Sequence, residues 1–90
     1  MSFYLLKPCR GKAAFEAVPK ERVRLDMEKG KTDLEAHGYV VTDAGVMLVC
    51  VKGELQVSIY PSGKLLIHTK SRENALTVAN GLYKVFNIGE

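Results

Sequence analysis

The chain has little cysteine, no long apolar run and no dense cluster of basic residues, and each shortage excludes something. Its two cysteines, Cys9 and Cys50, lie far apart and form no CxxC pair. That is too few for a disulfide scaffold, and it fits a reducing compartment. The opening segment, MSFYLLKPCR, holds only the short apolar run Phe3 to Leu6. This is too short for a signal peptide or a membrane span, so a cytoplasmic protein with no membrane partner is expected. A formal net charge of +3 is mildly basic, without the Lys/Arg clustering of a dedicated nucleic-acid binder. Low-complexity segments, long linkers and internal repeats are missing too.

Chemistry-bearing constellations are equally scarce. His37 and His68 are the only histidines, and neither has a second ligand at metal spacing. No metal and no cofactor is implied. Gly30-Lys31-Thr32 has the ending of a phosphate-binding loop, but Leu25 stands where that pattern needs glycine. No serine sits in a nucleophile elbow. The acidic residues fall on helix faces that read as solvated, so acid–base convergence in a cleft is not indicated. Cys50 reads as a small core residue. A non-enzymatic protein is expected.

What is present is one compact domain's worth of chain: 90 residues, 47% hydrophobic and 26% charged. The organising stretch is Glu54 to Lys70, ELQVSIYPSGKLLIHTK. Leu55, Val57 and Ile59 alternate with Gln56, Ser58 and Tyr60, the period of a half-buried strand. Pro61-Ser62-Gly63 forms the bend, and Leu65 to Thr69 forms the return arm. Val46 to Val51 is a continuous apolar run, which signals a further strand. A two-residue Lys52-Gly53 turn would pair Cys50 with Leu55 and Leu48 with Val57. A three-residue Pro61-Ser62-Gly63 loop would pair Ile59 with Leu65 and Val57 with Ile67. Both choices gather Val46, Leu48, Cys50, Leu55, Val57, Ile59, Leu65 and Ile67 on one face, and that agreement argues for the parity.

Around this hairpin, Asp26 is a helix N-cap for Met27 to His37, and Gly38 is its stop, folding Tyr39 back onto Leu34. Ser71 caps a second helix to about Phe86. Its stripe is Ala75, Leu76, Ala79, Leu82, Tyr83 and Phe86. Tyr39 to Thr42 reads as a short strand and Asp43-Ala44-Gly45 as a turn. Upstream, Phe3 to Lys7 reads as a strand, Lys12 to Ala17 as a short helix and Glu21 to Asp26 as an alternating strand. Gly89 leaves the chain end loose. The expected architecture is an α+β two-layer sandwich: residues 1–25 as an N-terminal extension, residues 26–86 as a helix–strands–helix core, and both helices on one face of an antiparallel sheet.

The opposite face would carry Met47, Val49, Val51, Gln56, Ser58, Tyr60, Lys64, Leu66, His68 and Lys70. It is too apolar for plain solvent. Its candidate binding residues are Tyr60, Lys64, Leu66, His68, Lys70, Met47 and Val49. Three occupants follow: the N-terminal extension, a second copy or another protein, or a ligand. A functional Cys9 or His68 in a small-molecule site ranks last, because no constellation supports it.

IYPSGKLLIHTKS followed by an amphipathic helix resembles part of one repeat of the TATA-box-binding protein family. There too an apolar strand ends in an aromatic, followed by a Ser-Gly-Lys turn, a return strand and a helix. The whole chain, with YVVTDAGVMLV, is similar to small archaeal proteins of the same two-layer fold. The resemblance implies a half-repeat over residues 26–86. It implies that Lys64, Leu66 and His68 meet a DNA minor groove, and that Tyr60 acts as a wedge that unstacks a base step. Ala44-Gly45-Val46 stands where that family has a basic and aromatic pair. One repeat spans little duplex, so a homodimer is implied as well. A binding module working through its open sheet face is therefore expected, with nucleic acid as first ligand; a structural or protein-interaction subunit is the alternative.

Overall fold

A computed structural model describes residues 3–9 and 13–87. Six strands and two helices follow one another along the chain: β1 (Tyr4–Pro8), β2 (Phe15–Pro19), α1 (Met27–Ala36), β3 (Val40–Asp43), β4 (Leu48–Lys52), β5 (Leu55–Ile59), β6 (Leu65–Ile67) and α2 (Arg72–Val85). The strands form one antiparallel sheet in the order β1-β2-β6-β5-β4-β3. Helix α1 lies against β3 and β4, and α2 against β6 and β2. Both cover the same face, giving the two-layer α+β sandwich.

The helices begin and end where local chemistry dictates. The Asp26 carboxylate accepts the Lys29 N–H at 3.1 Å, and the Ser71 hydroxyl oxygen accepts the Asn74 N–H at 3.2 Å. Each satisfies an N–H with no intrahelical partner. At the end of α1, Tyr39 N–H donates to the Leu34 carbonyl and Gly38 N–H to that of Glu35. This is the paired-bond Schellman stop, and Tyr39 packs on the core.

The sheet's buried face is built from two rows of side chains that cross all six strands. One runs Val41, Cys50, Val57, Ile67, Phe15 and Pro8; the other runs Asp43, Leu48, Ile59, Leu65, Ala17 and Leu6. Cys50, Val57, Ile59, Leu65, Ile67 and Ala17 are fully buried beneath Leu34, Ala75, Ala79, Leu82 and Tyr83 of the helices. The odd-numbered residues of β5 and β6 thus face the helices, as the alternation predicts.

Four expectations need correction. The turn between β4 and β5 is Gly53-Glu54, not Lys52-Gly53, so Lys52 pairs with Leu55, Cys50 with Val57 and Leu48 with Ile59. Gly53 has φ +62° while Glu54 keeps negative φ. That is the demand of a type II′ turn, whose first central residue is glycine. The slip is two residues, so side-chain parity survives. The β5–β6 register, with Ile59 opposite Leu65 and Val57 opposite Ile67, is the one expected.

Secondly, Val46 leaves the core and is 71% exposed. The turn after β3 extends through Met47, closed by the Ala44 N–H donating to the Met47 carbonyl at 2.9 Å. Thirdly, Phe15–Pro19 is a strand where Lys12 to Ala17 reads as a helix; Lys12 itself, like Arg10 and Gly89, lies outside the described residues. A one-and-a-half-turn helix has little intrinsic stability. As a strand, this segment pairs on both sides, with β1 and β6. Fourthly, Glu21 to Asp26 is irregular, because β2 has both edges occupied and offers no place for a neighbour. The segment instead crosses towards the helical layer. Leu25 N–H donates to the Pro61 carbonyl at 2.8 Å, and Leu25 packs on the core.

Tyr83 locks the extension in place. Its buried hydroxyl donates to the Gly63 carbonyl at 2.7 Å and lies 3.4 Å from that of Ala17. Its ring stands 4.9 Å from Phe3 and 5.1 Å from Tyr4, centroid to centroid. The Tyr4 hydroxyl donates to Asn80 Oδ1 at 2.7 Å.

Candidate functional site: the uncovered sheet face

The two helices cover one side of the sheet, and the described N-terminal segments lengthen the sheet rather than fold across its other side. The open face is best followed along one row that crosses every strand: Thr42, Val49, Ser58, Leu66, Glu16 and Lys7. Ser58 is 4% exposed between its strand neighbours Val49 and Leu66. Beside this row lie Val40, Val51 and Gln56 on one flank and Leu5 and Val18 on the other.

The face divides in two. The β3–β4 half is apolar, with Val40 69% exposed, Val51 37% exposed, and Val49 and Met47 half-buried. Side chains this apolar are unusual on a solvated antiparallel face. The β1–β2–β6 half is charged. Glu16 sits between two lysines, with Lys64 Nζ 3.4 Å from one carboxylate oxygen and Lys7 Nζ 3.9 Å from the other. Lys64 Nζ also lies 4.6 Å from the centre of the Tyr60 ring. The hairpin loop brings these two together: Tyr60 N–H donates to the Lys64 carbonyl, and Gly63 N–H to that of Tyr60. Gly63 closes the turn at φ +88°, where a side chain is strained.

Of the residues picked from the sequence, Met47, Val49, Tyr60, Lys64 and Leu66 come together on this face. His68 and Lys70 lie beyond the end of β6. His68 N–H still donates to the Gln56 carbonyl at 3.0 Å, but the residue lines a groove of about 450 Å³ with Leu55, Asn74, Thr77 and Val78. Cys9 is not part of that groove. Lys70 is exposed in the bend that leads into α2.

Leu5, Lys7, Glu16 and Val18 belong to the face and went unrecognised in the sequence. Their signal is the alternation of Phe15-Glu16-Ala17-Val18 ahead of Pro19. Val18, held out of the helical region by the following proline, marks this run as extended.

Elsewhere the titratable groups serve the fold. Burial pushes the Cys50 thiol up from 9.0 to about 11. This makes it an inert core group rather than a nucleophile. Burial also raises the Tyr83, Tyr4 and Tyr39 phenols; at Tyr83 the neighbouring Tyr4 adds to the rise, and at Tyr4 the Arg72 charge opposes it. Among the described residues, no group of three or more His, Cys, Asp or Glu side chains is placed to hold a metal ion. No described helix is long and apolar enough to cross a membrane. Comparison with protein-family models, curated proteins and solved structures gives no match to this chain.

Proposed function

We propose that this chain is a non-enzymatic binding module that works through its uncovered sheet face, and that the occupant is the apolar surface of a protein. The observation that carries this reading is the one-sided cover: helices seal one face and leave Val40, Val51 and Leu5 outside. Apolar surface of this kind marks interaction sites. The charge balance favours protein over nucleic acid. Both lysines of the charged half already face Glu16, whereas a phosphate backbone needs cations free to neutralise it.

A second reading has its own support. Tyr60 beneath Lys64 is an aromatic with a cation over its ring, and single-stranded nucleic acid uses aromatic and basic side chains of this kind for stacking and phosphate contact. It keeps nucleic acid as a candidate ligand, in line with the resemblance to the TATA-box-binding repeat. With Lys7 and Lys64 as the lysines of this face's strands and hairpin among the described residues, binding through them would follow salt with a log–log slope of roughly −2 or shallower.

Two experiments separate these readings. A photo-reactive residue at position 51 should give discrete protein adducts in cells, lost when Val40→Lys is added. The same residue at position 32, on the exposed side of α1, should give none. Equal adducts from both positions would refute the protein reading. Titration with a short DNA duplex and with single-stranded RNA at low salt decides the other: saturable binding weakened by Tyr60→Ala and Lys64→Ala establishes it, and no binding removes it.

A further inference from the structure

The sheet ends in two edges, and they are not alike. Edge strand β1 carries Pro8, which has no N–H to offer, and the charged Lys7. Both are devices that discourage a neighbouring strand. Edge strand β3, Val-Val-Thr-Asp, has neither proline nor lysine.

The register fixes which backbone groups β3 turns outward. In a two-residue hairpin, the residues flanking the turn form a hydrogen-bonded pair, and bonded and non-bonded pairs then alternate. Lys52 and Leu55 flank the turn, so Cys50 and Leu48 direct their backbone groups to β5. Val49 and Val51 direct theirs to β3, where Thr42 and Val40 receive them. The Ala44–Met47 bond agrees with this phase. Val41 and Asp43 therefore present N–H and C=O away from the sheet. Among the described residues, none of these outward groups has a backbone partner. The same alternation turns the Tyr39 carbonyl outward, while its N–H is already spent on Leu34 in the cap of α1.

We propose that β3 pairs antiparallel with β3 of a second copy, across a twofold axis at Val41. The pattern of donors and acceptors is self-complementary about that residue. Val41 exchanges both bonds with the partner's Val41. Asp43 N–H donates to the partner's Tyr39 carbonyl, and the reverse bond completes the set. Tyr39 N–H is already consumed by the cap of α1, so the Asp43 carbonyl of each copy stays with water and the set holds four bonds rather than six. On the open face, Val40 falls beside the partner's Thr42, so the most exposed valine of the sheet gains cover. The two apolar halves of the open faces become continuous. This contact uses backbone at the sheet edge, and it stands or falls separately from whatever the side chains of the face bind.

Sedimentation of the full chain from micromolar to millimolar concentration tests the pairing. The expected result is a mass rising from one chain towards two. In the native protein, amide exchange at Val41 and Asp43 slows by about tenfold or more as the dimer fills, since an edge amide is protected only by a pairing strand. Val41→Pro removes the central donor at a position where an edge strand accepts proline, and should leave a monomer. Val40→Lys, at an already exposed site, weakens association by about tenfold; since Val40 also belongs to the open face, the exchange of the Val41 and Asp43 amides in the native dimer is what assigns the contact to the edge if the proline variant does not fold. A monomer at millimolar concentration overturns the proposal. So does a dimer whose Val41 and Asp43 amides exchange as fast as in the dilute protein, which would place the contact on the open face instead.

Discussion

Replacing Tyr83 with phenylalanine removes one oxygen from the point where three parts of the chain meet. The ring keeps its packing against Phe3 and Tyr4, so little apolar area is lost. What disappears is the donor to the Gly63 carbonyl at 2.7 Å, shared with that of Ala17. Both carbonyls lie at buried positions, and a buried acceptor left without its donor costs about 1–3 kcal/mol. In a domain of this size each kcal/mol moves the melting point by about 4–8 °C. Urea unfolding should show a lower midpoint with an unchanged slope, because the surface exposed on unfolding is the same. The phenol also leaves an alkaline signature. Its pKa is raised by burial above the ordinary 10.0. The sign follows directly: the unfolded chain loses its proton first, so this contribution to stability is complete below pH 10 and declines as pH rises beyond it. The alkaline loss should be smaller in Tyr83→Phe. A variant within about 0.3 kcal/mol of the parent, or one with an unaltered alkaline limb, would refute the view that Tyr83 fastens the N-terminal strands to the core.

Four other outcomes follow from the same geometry. Gly63→Ala should destabilise by about 2 kcal/mol or more, from its left-handed backbone and from a Cβ that would stand 3.0 Å from Pro19 Cγ and 3.2 Å from Val23 Cγ1. Gly81→Ala should stabilise by about 1 kcal/mol, because it sits inside α2 with nothing within 4 Å of the added methyl; chemical denaturation reads both. Glu16→Gln should alter stability by less than about 1 kcal/mol, since its ion pairs are partly solvated. It should also strengthen any polyanion binding by freeing Lys7 and Lys64, measured in the low-salt titration. Cys50, with its thiol raised to about 11 by burial, should react with a thiol reagent only as fast as the domain opens. Alkylation faster than amide exchange of the core would contradict its placement.

The sequence reveals this fold best where two independent signals coincide. The Pro61-Ser62-Gly63 loop and the alternation on either side of it demand one register for β5 and β6. Asp26, Gly38 and Ser71 are local signals, and they act as read because a cap needs only its own turn of helix. Turn chemistry at Lys52-Gly53-Glu54 allows two loops by length alone. Glycine belongs at the first central position of a type II′ turn, and that shifts the loop by one residue and the pairing by two. The extension was harder to place. Ala13, Ala14, Glu16 and Ala17 favour a helix locally, yet two flanking strands decide the outcome, and neither is a neighbour in sequence. Only through the pairing of β2 with β1 and β6, which the local helix signal hides, do Glu16 and Lys7 reach the open face. Its charged half, which bears on the choice between protein and nucleic acid, therefore became visible only in three dimensions.

The central claim is that one face of the sheet is sealed and the other is open, and a soluble paramagnetic probe tests it directly. Added to methyl-labelled protein, the probe should broaden the signals of Val40, Val49, Val51 and Leu66 and spare those of Val57, Ile59, Leu65 and Ile67. Broadening at Ile59 and Ile67, or full protection of Val40 and Val51 in the dilute monomer, would contradict the account.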